Sequence, residues 1–253
     1  MSQGRDRLRC VGISKSFDGL QALAGVTLLF PSSGITAIIG PNGAGKTTLI
    51  NVATGFIRPD AGRCFLGQRD ITRVAPHRIA RFGLARTFQD LRLIQLVTAL
   101  DNVLVARPNQ RGERLLGALL RLGVAAEEAR NRQAAMDLLR FVGLEEKALE
   151  LAGELSYGEQ KLLTLACCLA TEASIVLLDE PVSGVHPEMA SRILGLLRRL
   201  RDEGKAIVFI EHDISAVRQI ADLVIVMDEG RVIAQGLPRE VLERPEIMEA
   251  YLA

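Results

Sequence analysis

The stretch Gly40-Pro-Asn-Gly-Ala-Gly-Lys-Thr47, which reads GPNGAGKT, decides the fold of this chain. It fits the pattern G-x-x-x-x-G-K-[ST], with an apolar run, TAIIG, leading into it and a helix-like segment, TTLINVATG, leading out. Glycines at these positions let the backbone turn so that successive N–H groups, together with the positive end of the following helix, face an anion. The stretch therefore predicts a strand, a phosphate-binding loop and a helix, in that order.

The same pattern assigns candidate roles to two side chains of the loop. Lys46 is expected to reach the β- and γ-phosphates of a nucleotide, and the Thr47 hydroxyl is expected to bind Mg²⁺. The alternative is a glycine-rich turn that caps a helix by chance. The phosphate-binding interpretation is favoured because Lys46 and Thr47 occupy the last two positions of the pattern, and because a strand-like segment precedes the loop and a helix-like segment follows it.

Two acids end the apolar run IVLLDEP, where ligands of parallel sheets collect. We expect Asp179 to hold Mg²⁺ through water and Glu180 to orient and polarise the attacking water. Neighbouring strand residues point to opposite faces, so the strand must end at Asp179. Pro181 favours an extended or turn conformation at Glu180, which fits that end. A simple acidic turn is the alternative.

Two further polar residues follow apolar runs that are typical of strands. Gln89 comes after GLARTF and can bring an amide to Mg²⁺ or to the attacking water, and His212 comes after AIVFIE and can donate a hydrogen bond to the γ-phosphate. Alternatively, the glutamine is a surface residue and the histidine only precedes a helix cap at Asp213. Their positions at strand ends favour the site.

The order of periodicities along the chain predicts an α/β fold. The first third contains strand-like apolar runs, among them LRCVGISKSF, QALAGVTLLF and, as one strand, GRCFLGQRDIT. From about 95 to 170, Leu and Ala recur at three- and four-residue steps, as in helices. Strand-like and helix-like segments then alternate, which favours a parallel sheet with helices on its faces. A helical insertion therefore interrupts the α/β core.

Composition and charge indicate which partners and which compartment to expect. A formal net charge of +1, no tryptophan and 4% aromatic residues indicate neither general attraction to nucleic acid nor platforms for stacking bases, so we expect no nucleic-acid partner. The four cysteines lack a C-x-x-C pair, which predicts free thiols in a reducing, cytoplasmic compartment. No apolar run is long enough to cross a bilayer. Any work at a membrane is expected to be done from outside the lipid.

The stretch ELSYGEQ has two interpretations. Ser156 is a good N-cap for the apolar-periodic segment KLLTLACCLA, so an ordinary helix start explains it. Gly158, however, would let an anion approach the Ser156 hydroxyl and the first backbone N–H groups. One chain has no obvious need for two phosphate sites. Two chains facing head to tail would need them, because each would cover the open side of the γ-phosphate bound by the other.

In this order, GPNGAGKTT, TFQD, LSYGEQ, IVLLDEP and IEHD resemble the Walker A, Q-loop, signature, Walker B and switch-histidine motifs of the ATP-binding cassette (ABC) ATPases. The resemblance covers essentially the whole chain. It implies one domain over 1–253 with the P-loop NTPase fold: a mainly parallel core sheet with an N-terminal antiparallel β layer (1–89 and 171–253) and a helical subdomain (90–170) ending in the signature helix. GLARTFQDLRLIQLVTALDNVLVA and the ending GLPREVLERPEIMEAYLA are most similar to branched-chain amino acid importers of the LivG-like type.

The resemblance implies that ATP and Mg²⁺ lie between two ATPase subunits. Implied catalytic residues are Glu180, His212 and Gln89, and implied magnesium ligands are Thr47, Gln89 and Asp179. By position, the nucleotide contacts are implied for Phe17, at the adenine, for Gly40, Pro41, Asn42, Gly43, Ala44, Gly45, Lys46, Thr47 and Thr48 and, from the partner chain, for Ser156 and Gly158.

Implied partners are transmembrane permease subunits, a second ABC ATPase subunit that is identical or different, and indirectly a periplasmic substrate-binding protein. Leu91–Val97 would form the groove that receives a helix of the permease. The implied location is cytoplasmic, on the inner face of the cell membrane. The implied activity is ATP hydrolysis that drives uptake of branched-chain or other hydrophobic amino acids through ATP-driven dimerisation.

The sequence departs from the family pattern at Tyr157, where a small residue is usual, at Glu159 and at His186. Glu159 stands where a neutral amide is usual and adds negative charge near the helix end that faces phosphate, and His186 replaces the usual aspartate of the D-loop. Two alternatives stay open. The same motor can serve another membrane machine, such as lipid or lipopolysaccharide export or urea or amide uptake. The other is a non-hydrolysing ATP-gated clamp, against which Lys46, Asp179 and Glu180 argue.

Overall fold

The computed structural model describes residues 7–87, 91–108, 124–245 and 247. Its backbone contacts divide the chain into two compact units, Met1–Arg86 with Ser174–Ala253, and Thr87–Ala173. The first unit holds both β-sheets, and the second is helical. The subdomain division at residues 90 and 171 stays a prediction.

Ten strands and eight α-helices occur within the described residues. The strands are β1 (Leu8–Phe17), β2 (Leu20–Leu29), β3 (Gly34–Ile39), β4 (Ala61–Leu66), β5 (Arg69–Asp70), β6 (Leu84–Arg86), β7 (Ile175–Asp179), β8 (Ala206–Ile210), β9 (Leu223–Asp228) and β10 (Arg231–Gly236). The helices are α1 (Lys46–Ala53), α2 (Pro76–Arg81), α3 (Ala99–Ala106), α4 (Val124–Val142), α5 (Tyr157–Ala170), α6 (Pro187–Asp202), α7 (Ile214–Ile220) and α8 (Pro238–Val241).

A six-stranded sheet with the order β10-β9-β3-β8-β7-β6 forms the core of the first unit. All its pairs are parallel except β9 with β10. Every residue of β7 and β8 is buried, because strands of parallel sheets are covered on both faces and consist of continuous apolar runs. The predicted mainly parallel core sheet is confirmed. The antiparallel edge strand β10, after the turn at Glu229 and Gly230, was not predicted.

The second sheet of this unit is antiparallel, with the order β2-β1-β4-β5, and confirms the predicted N-terminal β layer. The prediction of a single strand over GRCFLGQRDIT is wrong. Gly67 has a φ of 59°, which turns the chain back so that β5 pairs with β4. Cys10 and Cys64 face each other across β1 and β4 as buried free thiols, with 3.5 Å between their sulfur atoms.

Helix α6 shows why the mixed-charge segment LLRRLRDEGK is helical. Pro187 occupies its first turn, where the missing N–H costs nothing, and Arg199 and Arg201 complement the negative C-terminal end. The buried stripe consists of Ile193, Leu194, Leu196, Leu197 and Leu200. The charged side chains therefore lie on the opposite, solvated face.

In the second unit, α3, α4 and α5 pack against one another. Thr98 caps α3 by accepting a hydrogen bond from the Asp101 N–H, at 3.1 Å. Short 3₁₀ turns, Glu145–Lys147 and Ala152–Glu154, lead from α4 to α5. The predicted helical segment RLLGALLRLG lies outside the described residues. Across the described ranges, no helix combines the length and apolar character needed to cross a bilayer.

Candidate functional site

Three neighbouring parallel strands carry predicted site residues to one edge of the core sheet. In the spatial order β3-β8-β7, the chain passes from these strands into the phosphate loop, into His212 and into Glu180. In the sequence, Gln89 follows β6, the strand that pairs with β7. Because parallel strands end at the same edge, residues far apart in sequence meet there. Gln89 itself lies outside the described residues.

The glycines of the phosphate loop are required by close contacts. A Cβ on Gly40 would lie 2.0 Å from the carbonyl oxygen of Met227, and a Cβ on Gly45 would lie 2.4 Å from that of Ala22. Gly43 and Gly45 have φ values of 84° and 94°, in the left-handed region that favours glycine. Within the described part of the chain, no side chain caps the start of α1. The loop thus leads into a helix terminus whose N–H groups suit an anion.

Lys46 is held inside the curve of this loop. Its Nζ donates hydrogen bonds to the carbonyl oxygens of Gly40 and Pro41, at 2.7 and 2.8 Å. Burial lowers the pKa of Lys46, and the charges of Glu180 and Asp179 oppose that decrease. The loop therefore presents a cation beside two carboxylates.

The remaining loop residues differ in exposure. Asn42 and Thr47 are exposed, Pro41 and Thr48 are half-buried, and Ala44 is buried. Thr47 and Thr48 belong to the first turn of α1. The hydroxyl predicted to bind Mg²⁺ is therefore on an accessible residue next to Lys46.

A buried cation that the sequence analysis missed is paired with Asp179. Arg86 Nη2 donates to Asp179 Oδ2 at 2.9 Å, and Arg86 Nη1 donates to Asn51 Oδ1 at 2.5 Å. Burial raises the pKa of Asp179, and Arg86 opposes that rise. The available signal was a charged residue inside the apolar run GLARTF, since such a charge needs a buried partner.

Glu180 and His212 are in direct contact. The strand β7 ends at Asp179, as the sequence requires, and Glu180 adopts a left-handed φ of 49°. His212 Nε2 lies 3.0 Å from Glu180 Oε1. Asp213 caps α7 by accepting hydrogen bonds from two N–H groups of its first turn. His212 therefore precedes a helix cap and also faces the predicted catalytic acid, and its hydrogen bond to the γ-phosphate stays a prediction.

Phe17 ends β1 as a 42% exposed aromatic residue. Lys15 Nζ lies 5.3 Å from its ring centroid and also pairs with Asp60 at 2.7 Å. The following turn has left-handed φ values at Asp18 and Gly19, which returns the chain into β2. An accessible ring beside a hairpin turn is suited to stacking on a planar ligand.

In the second unit, Ser156 begins α5 with a reciprocal capping box. The Glu159 N–H donates to Ser156 Oγ at 3.4 Å, while Glu159 Oε2 accepts from the Ser156 N–H at 2.9 Å. Gly158 lies half-buried in the first turn. Tyr157 is 47% exposed.

The negative charge expected at this helix start has a local counterion. Lys147 Nζ lies 2.8 Å from Glu159 Oε1. Lys147 and the hydrogen bonds of Ser156 lower the pKa of Glu159 to about 2. The glutamate is therefore ionised, and Lys147 offsets its charge. His186, the third departure, precedes α6 without capping it by its side chain.

The donors present in the first unit fit Mg²⁺. This ion prefers oxygen ligands and is usually bound through one or two carboxylates or hydroxyls together with phosphate oxygens and water. Thr47 and Asp179 supply donors of that kind. Among the described residues, no three His, Cys, Asp or Glu side chains group into a metal-binding cluster.

Comparisons with known proteins agree with this geometry. Residues 23–183, which include the phosphate loop and both acids, match the family model described as ABC transporter. The chain is 36% identical over 250 residues to the high-affinity branched-chain amino acid transport ATP-binding protein BraF of Pseudomonas aeruginosa, covering 98% of each. It is 38% identical over 245 residues to LivG, a protein of the same description from Salmonella typhimurium, covering 95% of each.

Solved structures show the same similarity. A nucleotide-free ATP-binding cassette from an ABC transporter aligns with a TM-score of 0.85 and 34% identity, covering 98% of this chain and 99% of that chain. The ADP conformation of an ATP-binding cassette of an ABC transporter aligns with a TM-score of 0.84 and 33% identity, covering 99% and 100%.

Proposed function

The chain belongs to the ABC transporter family, and on this premise we propose that it is the ATP-hydrolysing subunit of an importer for branched-chain or other hydrophobic amino acids. The family is that of ATP-binding cassettes that couple hydrolysis to transport. The names of BraF and LivG, which are similar over at least 95% of both chains, support the substrate class.

The observation that carries the proposed activity is the meeting of a buried lysine, two acids and a histidine at one sheet edge. In this proposal Lys46 binds the β- and γ-phosphates of ATP, and Glu180 orients the attacking water and accepts its proton. His212, 3.0 Å from Glu180, donates a hydrogen bond to the γ-phosphate. Thr47 and Asp179 would hold Mg²⁺, which supplies neutralisation of phosphate charge when bound.

The rest of the proposed nucleotide site comes from exposed residues and from a second ATPase subunit. Phe17 stacks on adenine, and Gln89 contacts Mg²⁺ or the attacking water. The capped start of α5, with Ser156 and Gly158, faces the γ-phosphate bound by the partner subunit. Because Lys147 offsets the charge of Glu159, that helix start can accept an anion.

The segment Leu91–Val97 is proposed to receive a helix of a transmembrane permease. Within it, Ile94 and Leu96 are 48% and 86% exposed. The buried Asn102 orders its backbone, accepting from the Ile94 N–H at 2.8 Å and donating to the Ile94 carbonyl at 3.1 Å. Exposed apolar side chains on an ordered backbone suit a protein partner. This contact would hold the subunit on the cytoplasmic face of the membrane, with a periplasmic binding protein acting through the permease.

Two substitutions test the proposed hydrolysis. Lys46→Ala should weaken ATP binding and abolish phosphate release, because the phosphates lose their cation. Glu180→Gln should bind ATP but trap a nucleotide-bound dimer, visible by size-exclusion chromatography. Glu203→Gln, an exposed glutamate at the end of α6, is the matched control and should behave like the wild type. Unchanged turnover in Glu180→Gln would remove that residue from catalysis.

Transport assays test the substrate class. Cells that lack this subunit should lose uptake of labelled leucine, and the wild-type chain should restore it while Lys46→Ala should not. Unchanged leucine uptake together with lost urea uptake would instead assign the subunit to a urea or amide importer. A defect confined to the lipid or lipopolysaccharide of the outer surface would assign it to export.

A further inference from the structure

Glu211 is a buried acid between Ile210, the last residue of β8, and His212. It is 2% exposed, and the described residues contain no ion-pair partner for it. An ionised carboxylate in such a position is costly unless several hydrogen bonds satisfy it. The groups around Glu211 must therefore supply the hydrogen bonds that stabilise its carboxylate.

Backbone N–H groups from two loops supply these hydrogen bonds. The Val182 N–H donates to Glu211 Oε1 at 3.0 Å, and the His212 N–H donates to Oε2 at 3.2 Å. The Asp213 N–H also hydrogen-bonds to the carboxylate. Burial raises the pKa of Glu211, and these N–H groups oppose the rise. The two carboxylate oxygens thus hold the turn after β7 and the loop after β8 together.

The turn that Glu211 holds is the one that carries Glu180. Pro181 has no N–H, so Glu180 and Val182 provide the first two backbone donors of this turn, ahead of Ser183. The Glu180 N–H donates to the carbonyl of Ile210 at 3.0 Å. The Val182 N–H donates to the side chain of Glu211. The carbonyl of Ile210 and the side chain of Glu211, two consecutive residues, therefore accept the hydrogen bonds of Glu180 and Val182.

This support matters because the backbone of Glu180 is strained. Residues with a side chain rarely adopt a φ such as the 49° of Glu180, and this conformation persists only where the surroundings impose it. In that conformation Glu180 Oε1 lies 3.0 Å from His212 Nε2. The same carboxylate that fixes the turn also fixes the backbone of His212.

We propose that Glu211 is a positioning residue that sets the separation between the side chains of Glu180 and His212. The inference rests on the proposed function, in which these two side chains act on ATP. Glu211 acts through them, because its own oxygens accept from backbone N–H groups of both loops. A carboxylate is needed, since both of its oxygens accept, whereas an amide would turn an NH₂ group toward one donor.

The test compares Glu211→Gln with the wild type in the full chain, at a subunit concentration that gives measurable wild-type turnover. The variant keeps the size of the side chain and removes one acceptor. We expect kcat for phosphate release to fall on the order of tenfold or more, because a misplacement of about 1 Å in a catalytic group can slow a reaction about a hundredfold. The Kd for ATP should change less than about threefold, since the phosphate loop follows another strand. Glu203→Gln is the control.

Each other outcome overturns the assignment or the proposed function. A kcat within about twofold of the wild type would show that the hydrogen bonds of Glu211 to the two loops are not needed to position Glu180 and His212. Parallel loss of ATP binding and thermal stability, or failure to fold, would make Glu211 a determinant of the fold only. If the wild type releases no phosphate from ATP at any subunit concentration, the proposed function fails. Glu180→Gln is measured alongside: wild-type turnover in that variant would remove Glu180 from catalysis, and wild-type turnover in Glu211→Gln alone would contradict only the positioning role.

Discussion

Arg86 Nη2 and Asp179 Oδ2 lie 2.9 Å apart, and their side chains are 5% and 2% exposed. The two residues belong to β6 and β7, which are parallel neighbours in the core sheet. Arg86 also donates to Asn51 of α1, the helix that follows the phosphate loop. One guanidinium therefore ties together the phosphate-loop helix and the strand that carries the predicted magnesium ligand.

Replacing Arg86 by methionine should destabilise the protein strongly. The substitution removes the ion-pair partner of the buried Asp179, and breaking a buried pair from one side costs about 3–5 kcal/mol. Since burial already raises the pKa of Asp179, the deficit should grow as the pH rises and the carboxyl ionises without Arg86. Urea denaturation at several pH values measures this. Arg201→Met, which removes more exposed pairs with Asp202 and Asp222, should have a much smaller effect, and equal effects would contradict the argument.

Two glycines of the phosphate loop provide a matched pair of substitutions. Gly43 and Gly45 both have left-handed φ values, so alanine at either costs about 1–2 kcal/mol in backbone strain. A Cβ on Gly43 meets nothing within 4 Å, whereas one on Gly45 would lie 2.4 Å from the Ala22 carbonyl. Gly45→Ala should therefore lose clearly more stability in urea denaturation than Gly43→Ala. Equal losses would show that the strand β2 yields to the new methyl group.

The carboxyl of Glu159 predicts a pH dependence of stability. Its pKa falls from an ordinary 4.5 to about 2 in the folded protein, first because of Lys147. An acid with a depressed folded pKa adds stability that is present above the unfolded value and is lost as the pH falls toward the folded value. The stability difference between wild type and Glu159→Gln should thus be constant above about pH 5 and shrink below about pH 4.5. A difference that stays constant to about pH 3 in urea denaturation would contradict this.

The parts of the site that follow from local pattern were predictable. The phosphate loop is recognisable because glycines, lysine and threonine stand within one short stretch. The end of β7 at Asp179 was predictable because neighbouring strand residues point to opposite faces, so Asp179 and Glu180 can both face the site only if the strand ends between them. Contacts between distant segments were not predictable. Arg86 pairs with an acid 93 residues away, and the compensation of Glu159 by Lys147 depends on a 3₁₀ turn that has no periodic signal. In the sequence, Glu211 looks like one more polar residue at the end of a strand.

The start of α5 allows the proposed contact with a partner's nucleotide to be separated from helix stability. Gly158 lies in the first turn, after the N-cap Ser156. Glycine weakens a helix by about 1 kcal/mol relative to alanine, and an acid in the first turn is favoured by the positive helix end. Aspartate at this position should therefore leave the stability of the second unit unchanged or higher. A phosphate approaching the same helix end would meet the opposite effect, because two negative charges repel.

Gly158→Asp is thus predicted to keep or raise stability while lowering phosphate release on the order of tenfold or more in the assembled transporter. ATP binding to the chain's own phosphate loop should not change, because the proposed contact is made to the partner's nucleotide. Denaturation, equilibrium ATP binding and phosphate release on the same preparation measure the three quantities. Gly195→Asp in the middle of α6, where a Cβ meets nothing within 4 Å, is the control for the added charge and should keep normal turnover. Normal turnover in Gly158→Asp would mean that this helix start does not face phosphate, and ELSYGEQ would then be only a well-capped helix.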